Sequence, residues 1–251
     1  MENKSNVTLK TLNVMKAFID KQMVWGVNEL ARYLESPPSS IHRILKTLKE
    51  EHILQVIPES NKYTIGNEWM RLSSFISANF GLKSIAEPYI RELAKEVNHS
   101  VYLALYQQQH KKLSFVAGVH SANALQYRLD LGVLHPIHIG ASGKAILSYL
   151  SEDEITLILK EEQVSSQEGR QIWMDIQEIR EQGYSYTLSE RKSESIGIGA
   201  PIFDANSKVI GSIICAIPSN LYKEEEKGFT VDHILSTAKE ISYNLGYVEN
   251  R

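Results

Sequence analysis

Cysteine is nearly absent from the sequence: Cys215 is the only one in 251 residues. That excludes an intramolecular disulfide framework and any zinc site built on several cysteines. It suits a reducing cytoplasm. Long apolar runs are missing as well. No stretch approaches the roughly 20 residues that a spanning helix needs, so no membrane partner is expected. The first six residues, Met1 to Asn6, are polar, and no secretory leader is expected. Neither sign of charge dominates: 27 Lys+Arg stand against 30 Asp+Glu, a net charge of −3. The chain as a whole does not advertise a polyanion partner, so a nucleic-acid role must rest on local charge. Internal repeats and low-complexity tracts are lacking. With 43% hydrophobic and 23% charged residues, a disordered or collagen-like chain is excluded. At about 150 residues per domain, the length allows one large domain or two smaller ones.

The charge that is present is unevenly placed. Residues 1–67 hold nine Lys and Arg against seven Asp and Glu, a net +2, which leaves −5 for the remainder. Apolar periodicity puts a first helix over about 8–21, through Leu12, Met15, Phe18 and Ile19. Val27, Leu30, Ala31 and Leu34 mark a short second helix with Gly26 as its N-cap. Ser36-Pro37-Pro38 signals a helix start, with Ser36 as the expected cap. Ile41, Ile44, Leu45 and Leu48 then stripe a third helix over about 38–51. Extended pieces at Ile53–Ile57 and Lys62–Ile65, joined by Pro58-Glu59-Ser60-Asn61, read as a hairpin. Three small helices and a hairpin make a winged helix-turn-helix.

The polar side of the third helix carries the functional reading. No acidic residue occurs from Ser36 to Lys49. That side offers Ser39, Ser40, His42, Arg43, Lys46, Thr47 and Lys49. Small hydroxyls at a helix start allow close approach to phosphate. Arg43 can take a phosphate or a guanine edge bidentately. Lys46 and Lys49 supply charge to a duplex backbone. At the hairpin, Lys62 and Tyr63 are expected to touch the neighbouring groove or backbone. A basic helix face can also be merely solvated, and winged helices also serve protein contacts.

The rest of the chain predicts an α+β domain. Glu68–Asn79 is a helical stretch with Trp69, Leu72, Phe75 and Ile76 on one side, fit for a linker helix or for pairing with a second copy. A longer helix runs from Leu82 to Val97. Strands are expected at Val101–Tyr106, Leu113–Val119, Leu125–Asp130, Tyr184–Glu190, Ser195–Phe203 and Val209–Pro218. Helices are expected from about Ala141 to Tyr149, from Ser151 (as cap) to Glu161, over Ile172–Gln182 with a stop at Gly183, and over about 229–246. Helices alternating with a mostly antiparallel sheet define the class.

Several short segments, in order, resemble the IclR family of bacterial transcriptional regulators along nearly the whole length. They are Glu29-Leu30-Ala31, Ser39-Ser40-Ile41-His42-Arg43-Ile44-Leu45 and Tyr63-Thr64-Ile65-Gly66. Further on come Pro136-Ile137-His138, Gly143-Lys144-Ala145-Ile146-Leu147, Ile179-Arg180, Gly183-Tyr184 and Ile198-Gly199-Ala200-Pro201-Ile202-Phe203-Asp204. The resemblance implies a winged-helix DNA-binding domain (1–67), a linker helix (68–80) and a GAF-like effector-binding domain (81–251). It also implies homodimers or homotetramers on palindromic double-stranded operators, and a repressor under the control of a small-molecule effector. In family members that bind small oxo acids, backbone amides at the positions of Ala141, Ser142 and Gly143 hold the ligand carboxylate. Residues matching Thr187, Gly197, Ile214 and Ala216 complete that pocket. The family's small-acid binders carry acidic, cysteine or serine side chains there. This chain keeps one hydroxyl, so a roomier, drier pocket and an effector with an apolar body, still a carboxylate, are expected. Ser36-Pro37-Pro38 also departs from the family's usual segment, which ends in Lys.

Other chemistries fail on their own residues. A nucleotide phosphate loop ending at Lys144 needs Gly at position 138 and Ser or Thr at 145, which are His and Ala. Gly140-Ala141-Ser142-Gly143-Lys144 is not a nucleophile elbow, because its last residue is Lys. Gly197-Ile198-Gly199 lacks the third glycine of a dinucleotide fingerprint. His135 and His138 have no third metal ligand in view, and Cys215 reads as packing. Neither metal nor cofactor is expected. An enzyme and a non-DNA interaction module remain the alternative classes.

Overall fold

The computed structural model describes residues 7–79, 81–121, 123, 127–191 and 194–248. The chain divides into two compact units, Met1–Phe80 and Gly81–Arg251. In the first, α1 (Val7–Asp20) buries Val14, Ala17 and Phe18. α2 (Val27–Tyr33) follows Gly26, whose N–H donates to Glu29 Oε2 at 3.3 Å. α3 (Pro38–Glu50) buries the expected stripe of Ile41, Ile44, Leu45 and Leu48. Its N-cap is Pro37, not Ser36. The Ser36 hydroxyl instead donates back to Leu34 O at 3.1 Å, closing the preceding turn, where Glu35 is left-handed. The hairpin forms as β2 (Leu54–Val56) and β3 (Tyr63–Ile65). A two-residue strand absent from the sequence reading, β1 (Val24–Trp25), pairs on the other edge of β3, giving the order β1-β3-β2. The core joins Val14, Phe18, Trp25, Leu30, Ile41, Leu45, Leu54 and Tyr63. α4 (Asn67–Asn79) completes the unit. Phe75 on it is exposed, and the Ile76 side chain lies outside the described residues.

The second unit is built on a six-stranded sheet whose neighbours all pair antiparallel, in the order β6-β5-β4-β9-β8-β7. The strands are β4 (Ser100–Gln107), β5 (Lys112–Val119), β6 (Leu134–Pro136), β7 (Ser185–Leu188), β8 (Ser195–Phe203) and β9 (Val209–Pro218). Side chains alternate between faces along each strand. Val101, Leu103, Ile213, Cys215 and Ile217 face one core with α5 (Gly81–Glu96) and α9 (Lys227–Asn244). Tyr102, Ala104, Ile214 and Ala216 face the other, with α6 (Ala141–Leu147), α7 (Glu152–Glu161) and α8 (Ser166–Gln182). Ser151 caps α7 by accepting from Glu154 N–H at 3.3 Å, as expected. α8 starts six residues before Ile172, at a Ser165 cap, and stops at left-handed Gly183.

One expected strand is not seen among the described residues. Residues 125 and 126 of Leu125–Asp130 lie outside the described residues, and Tyr127–Asp130 joins no ladder. The Tyr102 hydroxyl holds this segment instead, donating to Tyr127 O at 2.6 Å and accepting from Leu129 N–H at 3.3 Å. β6 takes the sheet edge, with Lys112 opposite Pro136. Among the described residues, no helix is long and apolar enough to cross a membrane.

Candidate nucleic-acid interface and ligand cavity

α3 turns its charged side outward because its apolar stripe is fully spent on the core. Ser39, His42, Arg43, Lys46 and Lys49 are exposed and Ser40 is half-buried. Lys46 pairs loosely with Glu50 at 3.9 Å. Arg43 and Lys49 make no ion pair among the described residues, so their charge is uncommitted. On the wing, Lys62 is exposed and sits 3.7 Å from Glu29 Oε2. Glu29 is held below the usual carboxylate range by the Gln22 side chain and the Gly26 amide, with Lys62 adding to this. Tyr63 departs from expectation. Its ring is 8% exposed, because position 63 pairs with both Trp25 and Val56 in the centre of the small sheet and faces the core. It is a core residue and leaves the surface to Lys62.

In the second unit, the expected effector residues divide. Ala141, Thr187, Gly197, Ile214 and Ala216 line one cavity, together with Tyr127, Leu129, Gly140, Glu190, Arg191, Ser195 and Ile196. Ser142 and Gly143 do not. Ser142 is fully buried, and its carbonyl accepts from Ser212 Oγ at 3.0 Å. Gly143 is pressed against the chain at Ile137: a Cβ there would lie 2.4 Å from Ile137 O, so only glycine fits.

Two further expectations need correction. Of the three amides expected to hold a ligand, that of Ala141 is already taken by a side chain, as is the preceding one of Gly140. Gly140 N–H donates to Glu190 Oε2 at 2.9 Å and Ala141 N–H to Thr187 Oγ1 at 3.1 Å. The cavity is also not roomy. Its volume is about 20 Å³, the space of about one water. A Cβ on Gly197 would meet Ala141 Cβ at 3.0 Å, Thr187 Oγ1 at 3.1 Å and Ile214 Cδ1 at 3.3 Å, so these side chains already fill the space over the glycine.

The sequence reading missed the charged rim. Lys144 Nζ lies 2.6 Å from both Asp175 Oδ2 and Glu190 Oε1. Burial works to lower the Lys144 ammonium, but its bonds to Asp175 and Glu190 outweigh that and raise it. Arg191 extends over Gly140, which has φ +77° and no side chain to obstruct it. Its Nη2 donates to Pro136 O at 3.2 Å and to Ile139 O. Burial pulls its guanidinium below the ordinary range, with Tyr127 and Glu190 opposing. The only sequence signal for these residues was the Glu190-Arg191 pair at the end of an expected strand. Among the described residues, no cluster of three His, Cys, Asp or Glu side chains could hold a metal. Cys215 is fully buried, and burial pushes its thiol up, which fits a packing role.

Comparison with known proteins bears on both units. The family model described as bacterial transcriptional regulator IclR, C-terminal, matches residues 76–243, and that of the IclR helix-turn-helix domain matches 7–58. The chain belongs to the IclR family. It is a DNA-binding transcriptional regulator with the α+β architecture expected of that family. HTH-type transcriptional regulator KipR of Bacillus subtilis is 24% identical over 253 residues, covering 98% of this chain and all of that one. The transcriptional repressor IclR of Escherichia coli is 24% identical over 228 residues, 88% and 83% of the two chains. An IclR regulator structure from Alicyclobacillus acidocaldarius superposes with a TM-score of 0.86 at 18% identity, covering 96% of this chain and 98% of that one. An IclR homologue from Microbacterium hydrocarbonoxydans, solved with 4-hydroxybenzoate, gives 0.80 at 17% identity over 96% and 99%. The matched family consists of regulators, which does not favour the enzyme alternative.

Proposed function

We propose that residues 1–67 hold operator DNA, that 68–80 serve as a linker helix, and that 81–251 bind a small effector that changes operator affinity. The carrying observation is the exposed basic side of α3, with no acidic residue before Glu50 at its end, opposite a fully buried stripe. Ser39, Ser40, His42, Arg43, Lys46 and Lys49 face a groove of the duplex, and Lys62 meets the backbone from the wing. The protein acts in the cytoplasm as a repressor without catalytic activity. The 4-hydroxybenzoate held by the Microbacterium homologue supports effector control. Exposed Leu9, Leu12 and Ile19 along α1 support self-association into homodimers or homotetramers. A twofold assembly calls for a palindromic operator with half-sites one duplex turn, or a multiple, apart.

The test starts from operators selected out of a random duplex pool. Arg43→Ala is expected to weaken binding about 10- to 100-fold, the worth of one bidentate base contact. Binding by the unaltered chain falls steeply as salt rises. Gel shifts showing equal affinity for both proteins, or no salt dependence, reject the interface and favour a protein-contact role for the winged unit.

A further inference from the structure

β7 covers only part of β8. Its pairing ends at Ser185 opposite Gly199, while β8 runs on to Phe203. The alternation that turns Gly199 toward β7 turns residues 201 and 203 the same way. Neither offers an amide to a further strand. Pro201 has no N–H, and that of Phe203 donates to Ser242 Oγ at 3.0 Å. The space past the end of β7 therefore does not call for an added strand. It is a groove of about 400 Å³, a size that suits a small molecule. It shares no lining residue with the candidate effector cavity.

The lining decides what fits. β8 contributes Ala200, Pro201 and Phe203, and α9 contributes Leu235, Ala238 and Lys239. Tyr149 and Tyr247 make a row of rings with Phe203. Tyr149 stands edge-on to Phe203 at 5.0 Å between centroids, and Tyr247 stacks on it at 5.1 Å. All three are half-buried, so each has ring surface left to cover. A flat ring placed there gains both apolar burial and ring-to-ring contact. Rings can also hold a cation, but the Lys239 ammonium on the same lining repels one, and no side chain on the lining is negative. We propose that this groove is a second small-molecule site, which takes a neutral, planar aromatic of one or two rings against Tyr149, Phe203 and Tyr247. It goes beyond the effector cavity and does not depend on it.

Isothermal titration and methyl NMR of the full chain with phenethyl alcohol and quinoline test this. Cyclohexylethanol and phenethylamine stand beside them, because they keep the shape of phenethyl alcohol but lose the aromatic ring or gain a charge. The expected result is that at least one neutral aromatic binds and shifts the Leu235 methyl resonances, and that both analogues bind more weakly than phenethyl alcohol. Ser236→Trp, at an exposed position on the lining, abolishes the Leu235 shift. Tyr247→Ala weakens binding about 3- to 10-fold, the worth of one aromatic pair. The comparison among ligands needs no variant and stands even where Ser236→Trp folds poorly. Analogues that bind as well as phenethyl alcohol overturn the ligand class. Leu235 shifts that survive Ser236→Trp, or shifts confined to the Ile214 methyl of the other cavity, overturn the site. Leu235 methyls that move when the ligand-free chain is diluted show a second copy covering the groove, and overturn it as well. No binding by either aromatic at millimolar concentration does the same.

Discussion

Lys144 shows how one residue ties distant segments together. It stands 8% exposed on α6 between Asp175, 31 residues on, and Glu190, 46 residues on. Removing a buried cation from between two carboxylates leaves their charges facing each other. Breaking a buried ion pair costs about 3–5 kcal/mol, and the partial exposure of both acids reduces it. Lys144→Met is therefore expected to lose about 2–3 kcal/mol, read as a thermal midpoint lower by several degrees. The pH dependence follows from the raised ammonium. A group that holds its proton more tightly when folded contributes fully below its unfolded value, about 10.4, and loses that contribution as pH rises through the folded one. The gap between the two proteins should stay level up to about pH 10 and close above it; melts at a series of alkaline pH values check this. The sequence presented Lys144 only within a family-like segment and in two failed motifs, a phosphate loop and a nucleophile elbow. Its partners sit on α8 and beyond β7, and no local pattern joins them to it. Tyr63 failed for a related reason: it follows the turn residues in the chain, yet strand pairing turns its ring inward.

Among elements, those that are buried runs were read best. β8 and β9 match their expected ranges because each is dominated by isoleucine and small residues in a sheet covered on both faces. The start of α8 was read six residues late because its first turns are polar and exposed, leaving only the Ser165 cap as a signal. β1 is two residues long, too short for any periodicity. The segment 127–130 misled in the opposite direction. Alternation reports which side chains are buried, not whether the backbone has a neighbouring strand. Leu129 is buried against the second core, while its N–H goes to the Tyr102 hydroxyl. Tyr102→Phe keeps the ring and removes that hydroxyl, leaving Leu129 N–H without its acceptor. The expected cost is about 1–2 kcal/mol. Hydrogen exchange should quicken at the Leu129 amide while the β4–β9 amides stay protected. Unchanged exchange at Leu129 would mean that the hydroxyl does not hold this wall of the cavity.

For the whole molecule, a helix-turn-helix unit ahead of an α+β unit was legible from motif order, beside a charge of +2 over residues 1–67 and −5 over the remainder. The candidate ligand cavity was legible only in part, since five of seven expected residues meet there, while the room and the charged wall depend on side chains no motif marked. The same division imposes a thermodynamic constraint on regulation. An effector changes operator affinity only as far as it binds the DNA-competent arrangement less well than the other. The coupling is reciprocal: whatever factor the effector imposes on DNA, DNA imposes on the effector. For a repressor relieved by its effector, a saturating acid that binds it, with 4-hydroxybenzoate the first to try, should weaken the selected operator by about 5- to 150-fold. Saturating operator should weaken that acid by the same factor. Titrating DNA with and without acid, and acid with and without DNA, at one salt concentration closes the cycle. A factor that levels off as acid saturates marks coupling between separate acid and operator sites. An effect that keeps growing with acid concentration would mean that the acid displaces DNA directly, and no effect in either direction would reject effector control.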